Sequence, residues 1–324
     1  MKQVIYTELT DKKSTEDTQY IDINTFGKNF GRIGSFELNE FKKAETVGEF
    51  YHTLWTKPLR EDKENSRWFF PFQYYLTLPL AALSLALLKK HGQRVVLYTD
   101  IDGKELLSTL PYDKIYNTFD NFNYSLDFWA AGKMLALQNS TLDMTQIDTD
   151  LFIYDGRVID KCNTTNIICS HYEKTDAYND LLIFAVDKFQ PLQGGSQNES
   201  ANAGLIKIND IELRTRFLGW YWQVSQWLIN NPSALARLKE FTYNMLPLDL
   251  VTEQYSFYRL CNPTAMIEVN QENGANTVGI VHPVGFEKYI QIPKVLNILE
   301  TEFLDYYQTV MDIWSKLDFQ VSTE

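Results

Sequence analysis

Thr145-Gln146-Ile147-Asp148-Thr149-Asp150-Leu151-Phe152-Ile153 sets two carboxylates one residue apart inside an otherwise apolar run. Side chains on a regular strand alternate between faces, so Asp148 and Asp150 share one side, and a bend at the strand's C-terminal end would let both reach a single cation. Two hard oxygen donors suit Mg²⁺ or Mn²⁺. The same spacing also arises in a strand-end turn whose aspartates only face water, so partners elsewhere in the chain must decide between the two.

Working upstream, Phe50 to Trp55 is rich in β-formers and is closed by Thr56-Lys57-Pro58. Leu78 to His91 reads as a helix, with Pro79 in its first turn, Lys89 and Lys90 in its last and Gly92 beyond. Arg94 to Thr99 is the next strand. Strand, helix, strand is a βαβ unit, which lays the two strands parallel with their C-terminal ends on one side. Asp100 follows such an end. A short helix (Lys104 to Leu110), a short strand (Lys114 to Tyr116) and a helix from Phe128 to Gln138 carrying Lys133 come next, and Met144 to Tyr154 is then a strand. Its aspartates fall near the C-terminal edge of an open α/β sheet, where ligands bind in such folds.

Downstream, Leu181 to Val186 reads as a strand and Gln193 to Ser200 as a Gly, Ser and Asn loop. Ala201 to Asn209 returns to a strand, with Gly204 where a side chain would obstruct something. Helices follow at Glu212 to Leu228 and Ser233 to Met245, and Trp220, Trp222 and Trp227 are read as packing. Val278 to Val281 leads into His282-Pro283-Val284-Gly285-Phe286-Glu287-Lys288, and one last helix spans Val295 to Trp314. The expected division is an N-terminal addition at 1–48 with a short strand at Val4 to Tyr6, one α/β domain at 49–292, and a C-terminal helix within 293–324 packed on it.

At 324 residues and 44% hydrophobic, the chain can bury one substantial core. A formal net charge of -12 opposes a main role in binding nucleic-acid phosphate or an anionic membrane. Cys162, Cys169 and Cys261 make no C-x-x-C spacing and cannot all pair, which points to buried thiols in a reducing compartment. The N-terminus lacks the apolar centre of a secretion signal, and the run from Leu76 to Leu88 falls short of the roughly 20 residues a bilayer span needs. A cytoplasmic protein without a transmembrane segment is expected, with peripheral membrane contact left open.

Four pieces now stand in order: Asp148-Thr149-Asp150, Asn202-Ala203-Gly204, Glu253-Gln254 and His282-x-x-Gly285-x-x-Lys288. This order resembles the GT-A glycosyltransferases of the retaining, glycogenin-like class, which includes bacterial galactosyltransferases of surface-glycan synthesis. The resemblance covers about residues 50 to 290 and implies a Rossmann-like mixed sheet flanked by helices. It further implies that Asp148, Asp150 and His282 bind Mn²⁺ or Mg²⁺, that Lys288 holds the diphosphate of a UDP-sugar beside Gly285, and that Lys133 stands where a donor-contacting Arg is typical. Asn202 and Gly204 would line the sugar pocket, Glu253 and Gln254 would lie near the reacting carbon, and Thr53 and Asp100 at the ends of the first strands would contact the donor. The sequence departs from the family where Tyr289-Ile290 replaces the usual Pro-Trp.

The physical chemistry runs the same way. A leaving nucleoside diphosphate needs its developing charge neutralised, which a divalent ion and a lysine do together. Retaining transfer of a hexose to a glycan or glycolipid acceptor is the expected activity. The alternatives are a non-catalytic sugar-nucleotide or glycan-binding module on the same fold, and a sugar-phosphate nucleotidyltransferase; the latter usually has a glycine-rich loop after the first strand, and Thr56 to Arg67 has no glycine.

Overall fold

The computed structural model describes residues 2–6, 19–22, 49–61, 73–174, 199–233, 235–236, 250–261, 267–268, 276–277, 279–283 and 287–317. The strand expected at Leu181 to Val186, most of the loop after it, most of the helix at Ser233 to Met245, and Gly285 lie outside the described residues.

Near the N-terminus, β1 (Lys2–Tyr6) and β2 (Gln19–Asp22) form a two-stranded antiparallel ribbon. The first strand of the main sheet is β3 (Glu49–Leu54). A short helix α1 (Lys57–Glu61) and the long α2 (Gln73–Lys90) connect it to β4 (Arg94–Thr99), and α3 (Ile101–Leu107) leads on to β5 (Lys114–Asn117). α4 (Ala131–Asn139) then returns the chain to the other side of β3, where β6 (Thr145–Ile147) pairs parallel to it. The chain continues through β7 (Phe152–Ile153), α5 (Gly156–Thr164), β8 (Ile167–Cys169), the β9 (Tyr172–Lys174) and β10 (Glu199–Ala201) pair, β11 (Leu205–Ile208) and α6 (Ile211–Asn230). A π-helical turn at Leu250–Tyr255 runs into α7 (Ser256–Leu260). Last come β12 (Ile267–Glu268), β13 (Asn276–Thr277), β14 (Ile280–Val281), α8 (Glu287–Ile290), α9 (Ile292–Glu302) and α10 (Leu304–Lys316).

Among the described residues the main sheet has seven strands in the order β12-β8-β11-β6-β3-β4-β5, with β11 antiparallel to both its neighbours and the other pairs parallel. Strand alternation splits the core in two. Phe50 and Leu54 of β3 with Val95 and Leu97 of β4 face α2, α9 and α10, while Tyr51, Val96 and Tyr98 face α4 and α6. Both faces are covered, which is why buried apolar residues stand on both faces of the central strands. Trp220 and Trp222 are buried in the second layer, their indole N–H groups donating to Ser256 Oγ at 2.7 Å and Gln138 Oε1 at 3.1 Å, as packing residues do. All three cysteines are buried thiols. Among the described residues no helix is long and apolar enough to cross a membrane.

Three expectations about elements are corrected. α2 begins at Gln73, so Pro79 sits inside the helix rather than in its first turn. A proline leaves the carbonyl four residues earlier without its helical partner, and here the indole N–H of Trp314 donates to Tyr75 O at 3.3 Å. The single C-terminal helix is two, broken at Phe303 (φ -140, ψ 57), and α9 and α10 both pack on α2. The strand expected from Met144 to Tyr154 stops at Ile147, and Phe152–Ile153 belongs to a separate three-stranded sheet, β13-β14-β7.

Candidate metal centre

The chain builds β4 and β5 outward on one side of β3 and then places β6 on the other. That reversal makes the C-terminal ends of β3 and β6 the switch point at which open α/β sheets bind ligands. Asp148 is the first residue past β6. Its N–H donates to Gly204 O at 2.7 Å, and Leu151 N–H donates back to Asp148 O at 3.1 Å, so Asp148-Thr149-Asp150 forms a tight turn between the two sheets. Ser84 of α2 closes the far end of the turn, its hydroxyl donating to Leu151 O at 2.7 Å. His52 Nε2 lies 3.0 Å from Ser84 Oγ, and Tyr112 Oη lies 2.7 Å from His52 Nδ1. Since Ser84 gives its proton to the carbonyl, His52 Nε2 donates to Ser84 and Tyr112 donates to His52 Nδ1. Burial keeps this imidazole neutral against the pull of Asp148 and Asp150, lowering its pKa to about 3.

Strand pairing delivers the distant ligand. β14 runs antiparallel to β7 with Val281 opposite Phe152, which brings His282, the next residue, beside Asp150. Gly279 makes the entry possible: its φ is +110, and an added Cβ would stand 2.6 Å from Asp155 Cβ. Gly204 clears the space for the imidazole itself, since a Cβ there would fall 2.4 Å from His282 Cε1.

Each aspartate is held by one lysine, and one oxygen of each faces the histidine. Lys133 Nζ lies 3.0 Å from Asp148 Oδ1, 3.0 Å from Glu253 Oε1 and 3.0 Å from Ala203 O. Lys288 Nζ lies 3.0 Å from Asp150 Oδ2. Asp148 Oδ2 and Asp150 Oδ1 then stand 3.9 and 3.6 Å from His282 Nε2. Those separations are too long for hydrogen bonds, yet ligands about 2.1 Å from a shared ion can be about 4 Å apart. One donor atom from each of the three residues lies within 4.8 Å of the other two. Two carboxylates and an imidazole suit Mn²⁺ or Mg²⁺ as a donor set, so the residues fit the ion that the motif implies.

Charge pairing tunes the cluster. Burial disfavours the Lys133 ammonium, but Asp148 and Glu253 outweigh it and hold the lysine protonated beyond its usual range. Burial likewise disfavours the Asp150 carboxylate, but Lys288 and His282 outweigh it and hold its pKa far below the usual range.

The remaining candidates divide. Asn202 is buried beside the cluster with both ends of its amide engaged, Nδ2 donating to Glu173 Oε1 at 2.7 Å and Oδ1 accepting from Gly204 N–H at 2.9 Å. Glu253 is wholly buried against Lys133, and Gln254 next to it is half-buried, its Oε1 without a hydrogen-bond partner among the described residues. Asp100 is committed elsewhere: it caps α3 through Gly103 N–H at 3.0 Å and accepts from Thr56 N–H at 2.8 Å, tying the ends of β3 and β4 together. Thr53 is paired with Tyr98 inside the sheet. Sequence reasoning passed over Gln146, Ser84 and the pair His171 and Glu173, whose Nε2 and Oε1 are 3.4 Å apart. Only Gln146, two residues before Asp148, is linked to the aspartates by spacing; strand pairing and helix packing bring the others there.

Residues 49–313 match the model of a family of unknown function (DUF6734), well over half of the chain. The chain belongs to DUF6734. No curated protein matches it. In this DUF6734 protein the matched span includes every residue of the Asp148, Asp150 and His282 cluster.

Proposed function

We propose that this chain is a divalent-cation-dependent glycosyltransferase of GT-A type, moving a hexose from a UDP-sugar to a glycan or glycolipid acceptor with retention, as in surface-polysaccharide synthesis. The observation that carries the reading is the convergence of Asp148 Oδ2, Asp150 Oδ1 and His282 Nε2 at the sheet's switch point, with a lysine beside each aspartate. The order of the parallel strands among the described residues, with β11 reversed next to β6, which the aspartates follow, supports the finer fold assignment.

Asp148, Asp150 and His282 would hold Mn²⁺ or Mg²⁺, which when bound supplies Lewis-acid neutralisation of the leaving diphosphate. Lys288 adds a point charge at the same place, and its value grows as negative charge accumulates on the leaving oxygen. Lys133 holds Asp148 and Glu253 in position. Because Glu253 is buried and paired, it serves Lys133 rather than acting as an exposed nucleophile, which favours retention by same-face attack with the departing diphosphate assisting the acceptor's deprotonation. Gln254 Oε1, sealed from water and without a partner among the described residues, is assigned the hydrogen bond from a donor-sugar hydroxyl that a bound donor would supply.

Calorimetry of UDP and GDP with and without Mn²⁺, followed by hydrolysis of a panel of UDP-sugars, tests the proposal. Mn²⁺ should strengthen UDP binding, and Asp150→Ala or His282→Ala should remove that gain. UDP binding of equal strength in EDTA would overturn the metal assignment. The burial of Glu253 also suits a non-catalytic sugar-nucleotide module, which tight Mn²⁺-dependent binding with neither hydrolysis nor transfer would identify.

A further inference from the structure

Gln146 stands on β6 two residues before Asp148, with Tyr51 of β3 on one side and Ile206 of β11 on the other, and it is wholly buried. Its Nε2 donates to Asp148 Oδ1 at 2.9 Å. Its Oε1 is sealed from water and finds no hydrogen-bond partner among the described residues. Turning the amide round would not help, because it would set a carbonyl oxygen against a carboxylate oxygen. A buried, unpaired amide carbonyl is a standing destabilisation that a leucine of similar volume would remove. In the middle of an apolar sheet, what this glutamine adds over a leucine is one N–H aimed at Asp148.

That N–H has work that Lys133 cannot do. Lys133 Nζ lies 3.0 Å from Asp148 Oδ1 and 3.3 Å from Oδ2, so it holds the carboxylate near without choosing between the oxygens. The hydrogen bond from Gln146 goes to Oδ1 and so distinguishes them. We infer that Gln146 is a positioning residue of the cation site: by holding Asp148 Oδ1 it turns Oδ2 toward Asp150 Oδ1 and His282 Nε2, and the fold retains it at the expense of stability. The inference rests on the cation reading proposed above.

The test uses full-length wild type, Gln146→Leu and Gln146→Met. Mn²⁺ affinity is measured from the electron paramagnetic resonance signal of the free ion, and thermal stability is measured separately in EDTA. Both variants should bind Mn²⁺ about 10-fold more weakly or worse, the usual range for losing an outer-shell partner of a metal ligand, while melting in EDTA at or above the wild-type temperature. Wild-type affinity in both variants would overturn the role of Gln146 and leave the cation reading intact. A lower melting temperature of both variants in EDTA would make Gln146 a core-packing residue and overturn the inference on that ground. If the wild type itself takes up no Mn²⁺, the cation reading falls and this inference with it.

Discussion

A missing side chain is as important to this site as the charged ones. Gly204 passes beneath the His282 ring, and a methyl group there would meet Cε1 at 2.4 Å and Nδ1 at 2.8 Å. Imidazole is a side chain and can swing aside, so Gly204→Ala is expected to fold and to lose Mn²⁺ affinity because the ring no longer points at the aspartates. Calorimetric titration with Mn²⁺ checks this, and an unchanged affinity would show that His282 is not a ligand. His52 carries the opposite lesson, that a buried polar group can matter through stability. Its pKa is depressed to about 3 in the fold against an ordinary value of 6.5. Between those values the unfolded chain binds the proton and the native chain does not, so stability falls as pH drops through this window. From pH 6.5 to 5 the loss from this one group is about 2 kcal/mol. Urea unfolding at the two pH values should show it in wild type, and His52→Gln should show less. A pH dependence equally steep in the variant would assign the loss to other groups. Asp150 titrates the other way in charge but the same way in stability: its carboxylate contributes above the ordinary aspartate range and that contribution is lost as pH falls below the range, beneath the pH 6.5 to 5 interval read for His52.

Elements here are joined by side chains that satisfy backbone groups the helices leave open. Arg214 of α6 is wholly buried and donates to five backbone carbonyls, those of Ile208, Leu137, Ser140, Thr141 and Leu142, at 2.8 to 3.3 Å. The last four belong to the C-terminal end of α4 and the loop beyond it, where helical carbonyls lack partners and a cation is favoured. Replacing it with methionine keeps much of the volume and takes a donor from all five, leaving Leu137 O only Ser140 Oγ and Thr141 O only Met144 N–H, so Arg214→Met is expected to lower stability by roughly 3 kcal/mol or more. Loss of the anchor should also loosen α4, which carries Lys133, and a urea-unfolding midpoint close to wild type would refute the anchoring role. The indole of Trp314 does for α2 what Arg214 does for α4. Trp314→Phe leaves Tyr75 O without the donor that Pro79 cannot supply, and a loss of about 1 kcal/mol is expected in the same assay. A leftover carbonyl that reaches water instead would reduce that loss to nothing.

At the scale of the whole molecule, the cluster exists because three independent pieces of chain end at one place. β6 ends at the switch point, β14 pairs with β7, and α8 follows β14 closely enough for Lys288 to reach Asp150. Asp148, Asp150 and Glu253 outnumber Lys133 and Lys288 by a single charge, so a divalent cation would turn the centre net positive, ready for an anionic ligand. Lys288→Ala should therefore weaken UDP binding and slow turnover together while leaving the melting temperature within a degree or two of wild type, because Lys288 is partly exposed and pairs at the edge of the site. Wild-type turnover on the best donor would show that Lys288 plays no part in charge stabilisation.

Much of this was legible in the residues. Apolar strands separated by a helix with Lys-Lys-His-Gly at its end read correctly as a parallel crossover, because strand composition, helix-terminal charge and glycine punctuation are local chemistry. The spacing of Asp148 and Asp150 marked the site, and the His282 to Lys288 motif supplied partners that the structure brings to the same turn. Three things were beyond local chemistry. The break after Ile147 depends on Gly204 and Ser84 taking the backbone groups of the turn, from 56 and 67 residues away in sequence by the numbering of Asp148 with Gly204 and Ser84 with Leu151. The commitment of Asp100 to Thr56 and Gly103 depends on two strands ending side by side. The importance of Gln146, an ordinary polar residue in a strand, depends on being sealed between β3 and β11 with one carboxylate in reach. Sequence determines which groups can bond; the packed sheet decides which of them are left without water and must.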